Sequence, residues 1–444
     1  MPTEVSLQMV ANNASENYVF TERTTCLIGR SAECRIQLPS DQVHESVSRF
    51  HCLLDINPPN VRVRDLGSLN GTWINDQKIG QRKRYQSPKE GMSIAFPEYE
   101  LNHGDEIRVG GIEFKVFIDP GSENLETPEL LTEDPLKRVE DLLDRATDGE
   151  KAVQSIQGYS IIRELGKGGM GAVYLAHDDK TGKEVALKVV LPHVAKDERA
   201  QSRFLREADN TRLLTHQNIV RLWEAGYCNE TFFFTLEYCD GGSVSEMMAR
   251  NGGRLDIDEA MNITFQILDA LTYAHTVEVG DMMLDDGSIK QIRGLVHRDI
   301  KPSNIYLKHE NGQAIAKLAD FGLSKAFDMA GFSGHTATNT AAGTPKLMPR
   351  EQMINFKKVR PEVDVWATAA SLYNMLTGSY PRNFPPDRDP WLVVLVDSVV
   401  PIRERLPSIP PALASVIDEA LIDSPSIPVS SAADLKKALE DVIA

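Results

Sequence analysis

The chain has 444 residues, too many for one compact domain, and its 41% apolar and 25% charged residues allow each of two or three domains an ordinary core. A formal net charge of −16 with no Lys/Arg-rich run argues against nucleic acid or an anionic membrane as the main partner. The cysteines Cys26, Cys34, Cys52, Cys228 and Cys239 are odd in number and form no CxxC pair, which fits free thiols in a reducing compartment. Met1–Asn13 lacks the basic start and apolar stretch of a signal peptide, and the most apolar run, Trp391–Val400, is short and broken by Asp397. The expectation is a soluble, cytoplasmic protein.

Residues 1–118 read as an all-β sandwich. Short alternating runs such as Val61-Arg62-Val63-Arg64 and Ile112–Phe117 are divided by turn clusters such as Asn57-Pro58-Pro59-Asn60 and Gly67–Gly71. Within this region Gly29-Arg30-Ser31 is followed by Ser48-Arg49-Phe50-His51 and then by Asn70-Gly71-Thr72. In that order and setting the region resembles a forkhead-associated (FHA) domain, a reader of phosphothreonine. The resemblance implies that Arg30 supplies a bidentate guanidinium to the phosphate and Ser48 a hydroxyl donor. Arg49 would add a second positive contact and Asn70 would bond the peptide backbone. His51 is expected to organise the loops from a buried position, Gly71 to serve turn geometry, and Leu69 stands where the family often has threonine.

Residues 119–157 read as an acidic linker, with Glu123, Glu126, Glu129, Glu133 and Asp134 among Pro120, Gly121, Pro128 and Pro135. A short helix is expected where Leu136, Val139, Leu142 and Leu143 share a face. FHA domains read a phosphothreonine with the residue three positions downstream, and Thr127 offers Leu130 there. Thr127 is therefore a candidate phosphosite, captured by Arg30 and Ser48 of a second copy of the chain.

Residues 158–444 read as a bilobal α+β domain, strands first and then helical periodicity, as in Ala260–His275 and Val363–Leu376. The run Leu165-Gly166-Lys167-Gly168-Gly169-Met170-Gly171-Ala172-Val173 suggests a strand–turn–strand whose glycines let backbone N–H groups approach phosphates. Val185-Ala186-Leu187-Lys188 puts a lysine on the next strand, with Glu207 placed to hold it. His297-Arg298-Asp299-Ile300-Lys301-Pro302-Ser303-Asn304 and then Asp320-Phe321-Gly322 complete the series. With four motifs in order, the region resembles the eukaryotic-type protein kinases, of a bacterial subgroup.

That resemblance implies ATP and Mg²⁺ as cofactors, with Mn²⁺ as an alternative ion, and protein serine or threonine hydroxyls as acceptors. Asp299 would orient or accept the hydroxyl proton, with Lys301 beside the γ-phosphate. Asn304 and Asp320 would be the metal ligands, and Lys188, paired with Glu207, would position the α- and β-phosphates. Leu236 would be the gatekeeper, Glu237 and Cys239 would offer hinge backbone to adenine, and Tyr306 would lie beneath the ring. Thr336, Thr338 and Thr340 are candidate activation-segment phosphosites that could pair with Arg298, while Thr344 would face the catalytic aspartate.

Three departures stand out. Pro349-Arg350-Glu351 replaces the family's Ala-Pro-Glu, with Pro428 where its arginine partner usually stands. The 18 residues Thr276–Arg293 are inserted before the catalytic loop, with Asp285–Ser288 suggesting a hairpin turn. Thr211 takes a position that is usually apolar, which is expected to weaken a contact between the lobes. The rival reading is a catalytically dead scaffold that binds phosphopeptides, and the presence of Lys188, Asp299 and Asp320 speaks against it.

Overall fold

Alternation of buried and exposed residues sets the strands of the N-terminal region, and the computed structural model shows how they pair. It describes residues 4–10, 16–21, 24–39, 45–92, 94, 96–119, 158–168, 171–190, 211–228, 231–283, 289–321, 345–354, 359–386 and 388–443. The chain divides into two compact units, one formed by Met1–Thr127, Met348–Val359 and Arg382–Val400, the other by the remainder.

In the first unit the strands are β1 (Glu4–Val10), β2 (Glu16–Phe20), β3 (Thr24–Gly29), β4 (Ile36–Gln37), β5 (Cys52–Asn57), β6 (Asn60–Asp65), β7 (Thr72–Ile74), β8 (Gln77–Gly80), β9 (Tyr99–Glu100), β10 (Glu106–Val109) and β11 (Ile112–Asp119). They form two sheets, ordered β2-β1-β11-β10-β7-β8 and β4-β3-β5-β6-β9. Val5, Leu7 and Met9 of β1 and Phe114 and Val116 of β11 face Cys26, Ile28, Leu54 and Val63 across the sandwich core. The β7–β8 hairpin turns at Asn75 and Asp76, both at positive φ (45° and 67°), as a two-residue hairpin turn requires.

Strands β3 and β5 are buried on both faces. Outside the sandwich core, Leu27, Cys34, Leu53 and Leu66 form a second cluster with Met353 of helix Arg350–Ile354 and with Leu392, Val394 and Leu395 of helix Pro390–Val396. Polar ties frame it. The Thr24 hydroxyl donates to the Ile354 carbonyl at 2.9 Å, and Arg64 pairs with Asp389 at 3.0 Å. Asp389 also caps its helix by accepting from the backbone N–H groups of Trp391 and Leu392.

In the second unit β12 (Tyr159–Gly168), β13 (Gly171–Asp178), β14 (Lys183–Val190), β15 (Leu222–Cys228) and β16 (Thr231–Glu237) make an antiparallel sheet in the order β12-β13-β14-β16-β15. The inserted segment forms an antiparallel hairpin of β17 (Glu278–Met283) and β18 (Ile289–Arg293). Its turn residues Asp285–Ser288 lie outside the described residues. The hairpin β19 (Ile305–Glu310)–β20 (Gln313–Leu318) carries the chain to Asp320.

Helices complete the second unit. Val244–Arg250 starts at a capping box of Ser243 and Glu246, and Ile257–Thr276 starts at the Asp256 cap. Helix Glu362–Thr377 is buried from Val363 to Leu376 and stops at Gly378, whose φ of 67° closes the helix in the left-handed region. Among the described residues no helix is long and apolar enough to cross a membrane. The linker 120–157, with Thr127 and its expected helix, lies outside the described residues.

Candidate functional site

The second unit places three of the predicted catalytic residues, Asp299, Lys301 and Asn304, on one loop, and a single buried carboxylate holds that loop. Asp364, in the first turn of helix Glu362–Thr377, is fully buried and accepts three hydrogen bonds. They come from the backbone N–H of His297 (2.7 Å), the backbone N–H of Arg298 (2.8 Å) and His275 Nε2 (2.8 Å). Burial pushes its carboxyl pKa up, but the His275 hydrogen bond and charge, His297 and the Arg298 amide outweigh that and hold it below the usual value. Arg298 itself sits at a positive φ of 71°, so the loop turns sharply at that point.

Beyond this anchor, His297 accepts from the Asp299 backbone N–H at Nδ1 (3.2 Å) and therefore donates from Nε2 to the Ala319 carbonyl (2.7 Å). Asp299 is held through Oδ2, which accepts from Lys301 Nζ (2.8 Å) and Asn304 Nδ2 (2.9 Å). The Asn304 amide nitrogen also donates to the Asp299 carbonyl (2.8 Å). With that nitrogen committed, the Asn304 amide offers its oxygen to a ligand.

Lys188 projects from β14, opposite Val173 and Phe234 in the sheet register. Its ammonium donates to both Asp320 oxygens, at 2.7 and 2.8 Å. Burial raises the Asp320 pKa, but the Lys188 charge and hydrogen bond outweigh it, so the carboxyl stays below its usual range and ionised. Among the described residues no group of three or more His, Cys, Asp or Glu could hold a metal ion. Two oxygen donors, Asn304 and Asp320, nevertheless suit Mg²⁺, which takes few protein ligands and completes its shell with phosphate and water.

At the hinge, β16 ends at Glu237, whose side chain is tied to Lys308 (2.5 Å) and Lys317 (3.3 Å) and whose backbone N–H donates to the Arg221 carbonyl (2.8 Å). Leu236 and Cys239 are buried, and burial pushes the Cys239 thiol up to about 12. Tyr306 is partly exposed beside them. Leu165, Gly166 and Lys167 lie on β12 and Ala172 and Val173 on β13, with Gly168 paired to Gly171 at the open end of the hairpin. Gly169, Met170, Glu207, Gly322, Thr336, Thr338, Thr340 and Thr344 lie outside the described residues. Thr211 is buried, and its hydroxyl donates to the Phe321 carbonyl at 3.2 Å. The weakened apolar contact expected from sequence is thus accompanied by a hydrogen bond that an apolar side chain could not make.

In the first unit Arg30 follows β3 and is half-buried, and its Nε donates to the Val47 carbonyl (2.7 Å). The Ser48 hydroxyl accepts from the Leu69 backbone N–H (3.0 Å), and Asn70 Nδ2 donates to the Ser46 carbonyl (2.7 Å). Arg49 is exposed. His51 is buried between these loops, accepting from the Ser48 N–H at Nδ1 (3.1 Å) and donating from Nε2 to the Gly71 carbonyl (3.1 Å). Burial lowers its pKa, so the ring is neutral. A Cβ on Gly29 would collide with the Arg49 carbonyl, so only glycine lets these two loops meet.

Sequence reasoning missed two organisers. Asp364 is signalled only as the lone acid in the mostly apolar stretch Val363–Leu376. Asp65 is buried at the end of β6 and accepts from the Gly67 and Ser68 N–H groups (2.7 and 2.8 Å) and from the Ser68 and Thr72 hydroxyls (2.6 Å each). It thereby shapes the loop that carries Asn70.

A family profile described as "Protein kinase domain" matches residues 159–392, and one described as "FHA domain" matches residues 26–110. The probable serine/threonine-protein kinase SCO3848 of Streptomyces coelicolor is 32% identical over 293 residues, covering 64% of this chain and 39% of the relative. Serine/threonine-protein kinase Pkn1 of Myxococcus xanthus is 31% identical over 287 residues, covering 64% of this chain and 38% of that one. The chain thus spans well under half the length of these two relatives. A crystal structure of Rad53 1-466 in complex with AMP-PNP is similar over 98% of this chain and 100% of that one, at a TM-score of 0.49 and 22% identity.

Proposed function

The chain belongs to the protein kinase family and carries an FHA domain ahead of its kinase domain, and from that premise we propose that it is an active, ATP-dependent serine/threonine protein kinase. The observation that carries the reading is the Asp299 carboxylate, held by Lys301 and Asn304 on a loop pinned by Asp364. A carboxylate so fixed can accept the proton of a serine or threonine hydroxyl as its oxygen attacks the γ-phosphorus. Lys301 supplies positive charge beside the transferring group, Lys188 holds the α- and β-phosphates, and the Glu237 and Cys239 backbone takes the adenine edge. Asn304 and Asp320 would hold Mg²⁺, which would supply positive charge to the phosphate oxygens.

The reading includes the division into an FHA domain (1–118), an acidic linker (119–157) and a catalytic domain (158–444), a cytoplasmic location, and a non-specific protein acceptor. Arg30, Ser48, Arg49 and Asn70 bind phosphothreonine on partner proteins, or Thr127 on a second copy of the chain. Phosphorylation of Thr336, Thr338 or Thr340 would order the activation segment through Arg298. Mass-spectrometric mapping of autophosphorylation, with Lys188→Ala as control, tests this. Label on serine or threonine in the wild type and none in the variant is expected. An unlabelled wild type that still binds phosphothreonine peptides would instead support the scaffold reading.

A further inference from the structure

We propose that Thr211 is a positioning residue for Asp320. Its hydroxyl fixes the Phe321 carbonyl, and with it the backbone turn that aims the carboxylate at the metal. The proposal rests on the kinase reading of Asp320 given above.

Asp320 has a φ of 61°, a left-handed conformation that a non-glycine residue holds only where its neighbours over-determine it. On its N-terminal side the determinants are clear. Ala319 donates its backbone N–H to the Asn304 carbonyl (2.9 Å), and its own carbonyl accepts from His297 Nε2 (2.7 Å). On the C-terminal side Phe321 is 2% exposed, with its ring edge-on to His297 at 4.7 Å and 79°. Ring packing restrains the side chain, and the Phe321 carbonyl is the backbone group next to it.

Thr211 holds that carbonyl. It is 6% exposed, and its hydroxyl reaches the Phe321 carbonyl at 3.2 Å. Thr211 is itself fixed, because its carbonyl accepts from the Leu214 backbone N–H (3.1 Å). A hydroxyl at a buried site costs free energy unless it is hydrogen-bonded, so apolar packing alone gives no reason for threonine here. A reason appears once the hydroxyl is the second clamp on a strained residue.

Valine has the shape of threonine without the donor, which separates the two roles. If Thr211 only fills space, Thr211→Val should match or improve on the wild type. If it positions Asp320, loss of one buried hydrogen bond should weaken metal-dependent binding by about 5- to 10-fold. The experiment titrates Mg²⁺ against the full-length protein holding a non-hydrolysable ATP analogue, read by calorimetry, with thermal unfolding run alongside. Thr211→Val should need about 5- to 10-fold more Mg²⁺ for half-saturation, with nucleotide affinity in EDTA unchanged, and Thr211→Ser should stay within about twofold of wild type. Wild-type Mg²⁺ dependence in Thr211→Val, or a Thr211→Ser as impaired as Thr211→Val, would overturn the proposal. Should the valine variant not fold, Thr211→Ser against Thr211→Ala carries the same comparison. A wild type with no Mg²⁺-dependent nucleotide binding would overturn the kinase reading and this proposal with it.

Discussion

Replacing Asp364 by asparagine keeps the volume of the side chain and reverses half of its hydrogen bonding. The carboxylate, itself fully buried, accepts from two backbone amides and an imidazole within 2.8 Å. An amide has one oxygen for these three donors and presents its own N–H₂ to at least one of them. Hydrogen bonds to a charged acceptor contribute about 1.5–3 kcal/mol each. Breaking a buried, charge-paired network by changing one member costs about 3–5 kcal/mol. We therefore expect Asp364→Asn to lose about 3–5 kcal/mol in urea unfolding, a large part of the 5–15 kcal/mol typical of a domain. Phosphoryl transfer should fall further, because the same bonds fix the backbone next to Asp299.

The pH dependence has a definite sign. The folded pKa of Asp364 lies below its unfolded value, so its contribution is complete above about pH 4 and is lost as pH falls through the lower folded value. The wild type should lose stability over that acid range more steeply than Asp364→Asn. A variant within about 1 kcal/mol of wild type at neutral pH, with the same acid slope, would refute the anchoring role.

Leu53→Ala should destabilise the first unit by about 2–4 kcal/mol in denaturant unfolding, because Leu53 is buried against helix Pro390–Val396 and is not on an open sheet face; a change under about 0.5 kcal/mol would contradict that packing. Asp65→Asn should lower phosphothreonine-peptide affinity by roughly tenfold or more in a fluorescence titration, since four hydrogen bonds to one carboxylate shape the Asn70 loop. Asp320→Asn should abolish Mg²⁺-dependent nucleotide binding while leaving the weaker metal-free binding in place, measured by calorimetry.

Motif spacing made the candidate catalytic residues legible because phosphoryl transfer needs fixed residue types at fixed places, and the structure brings Lys301 and Asn304 to Asp299 and Lys188 to Asp320. The supporting residues were less legible. Asp364 and Asp65 act by accepting from backbone N–H groups, and in a sequence such an acid looks like a helix cap or a turn residue. The two-faced burial of β3 and β5 had a visible signal. Cys26-Leu27-Ile28 and Cys52-Leu53-Leu54 are continuous apolar runs and do not alternate, the mark of strands covered on both sides. What covers them, helices Arg350–Ile354 and Pro390–Val396, is far along the chain and has no local signature. Thr211 looked like a weakened contact because sequence reports the loss of an apolar side chain but not the carbonyl that its hydroxyl meets.

Transfer of labelled γ-phosphoryl from ATP to a protein acceptor, compared between the wild type and Asp299→Asn at equal nucleotide occupancy, addresses the central claim most directly. The aspartate acts on the acceptor hydroxyl, so the variant should bind Mg²⁺–ATP as the wild type does and transfer label at least about 100-fold more slowly. Equal rates in the two proteins, or no transfer by the wild type, would contradict the account.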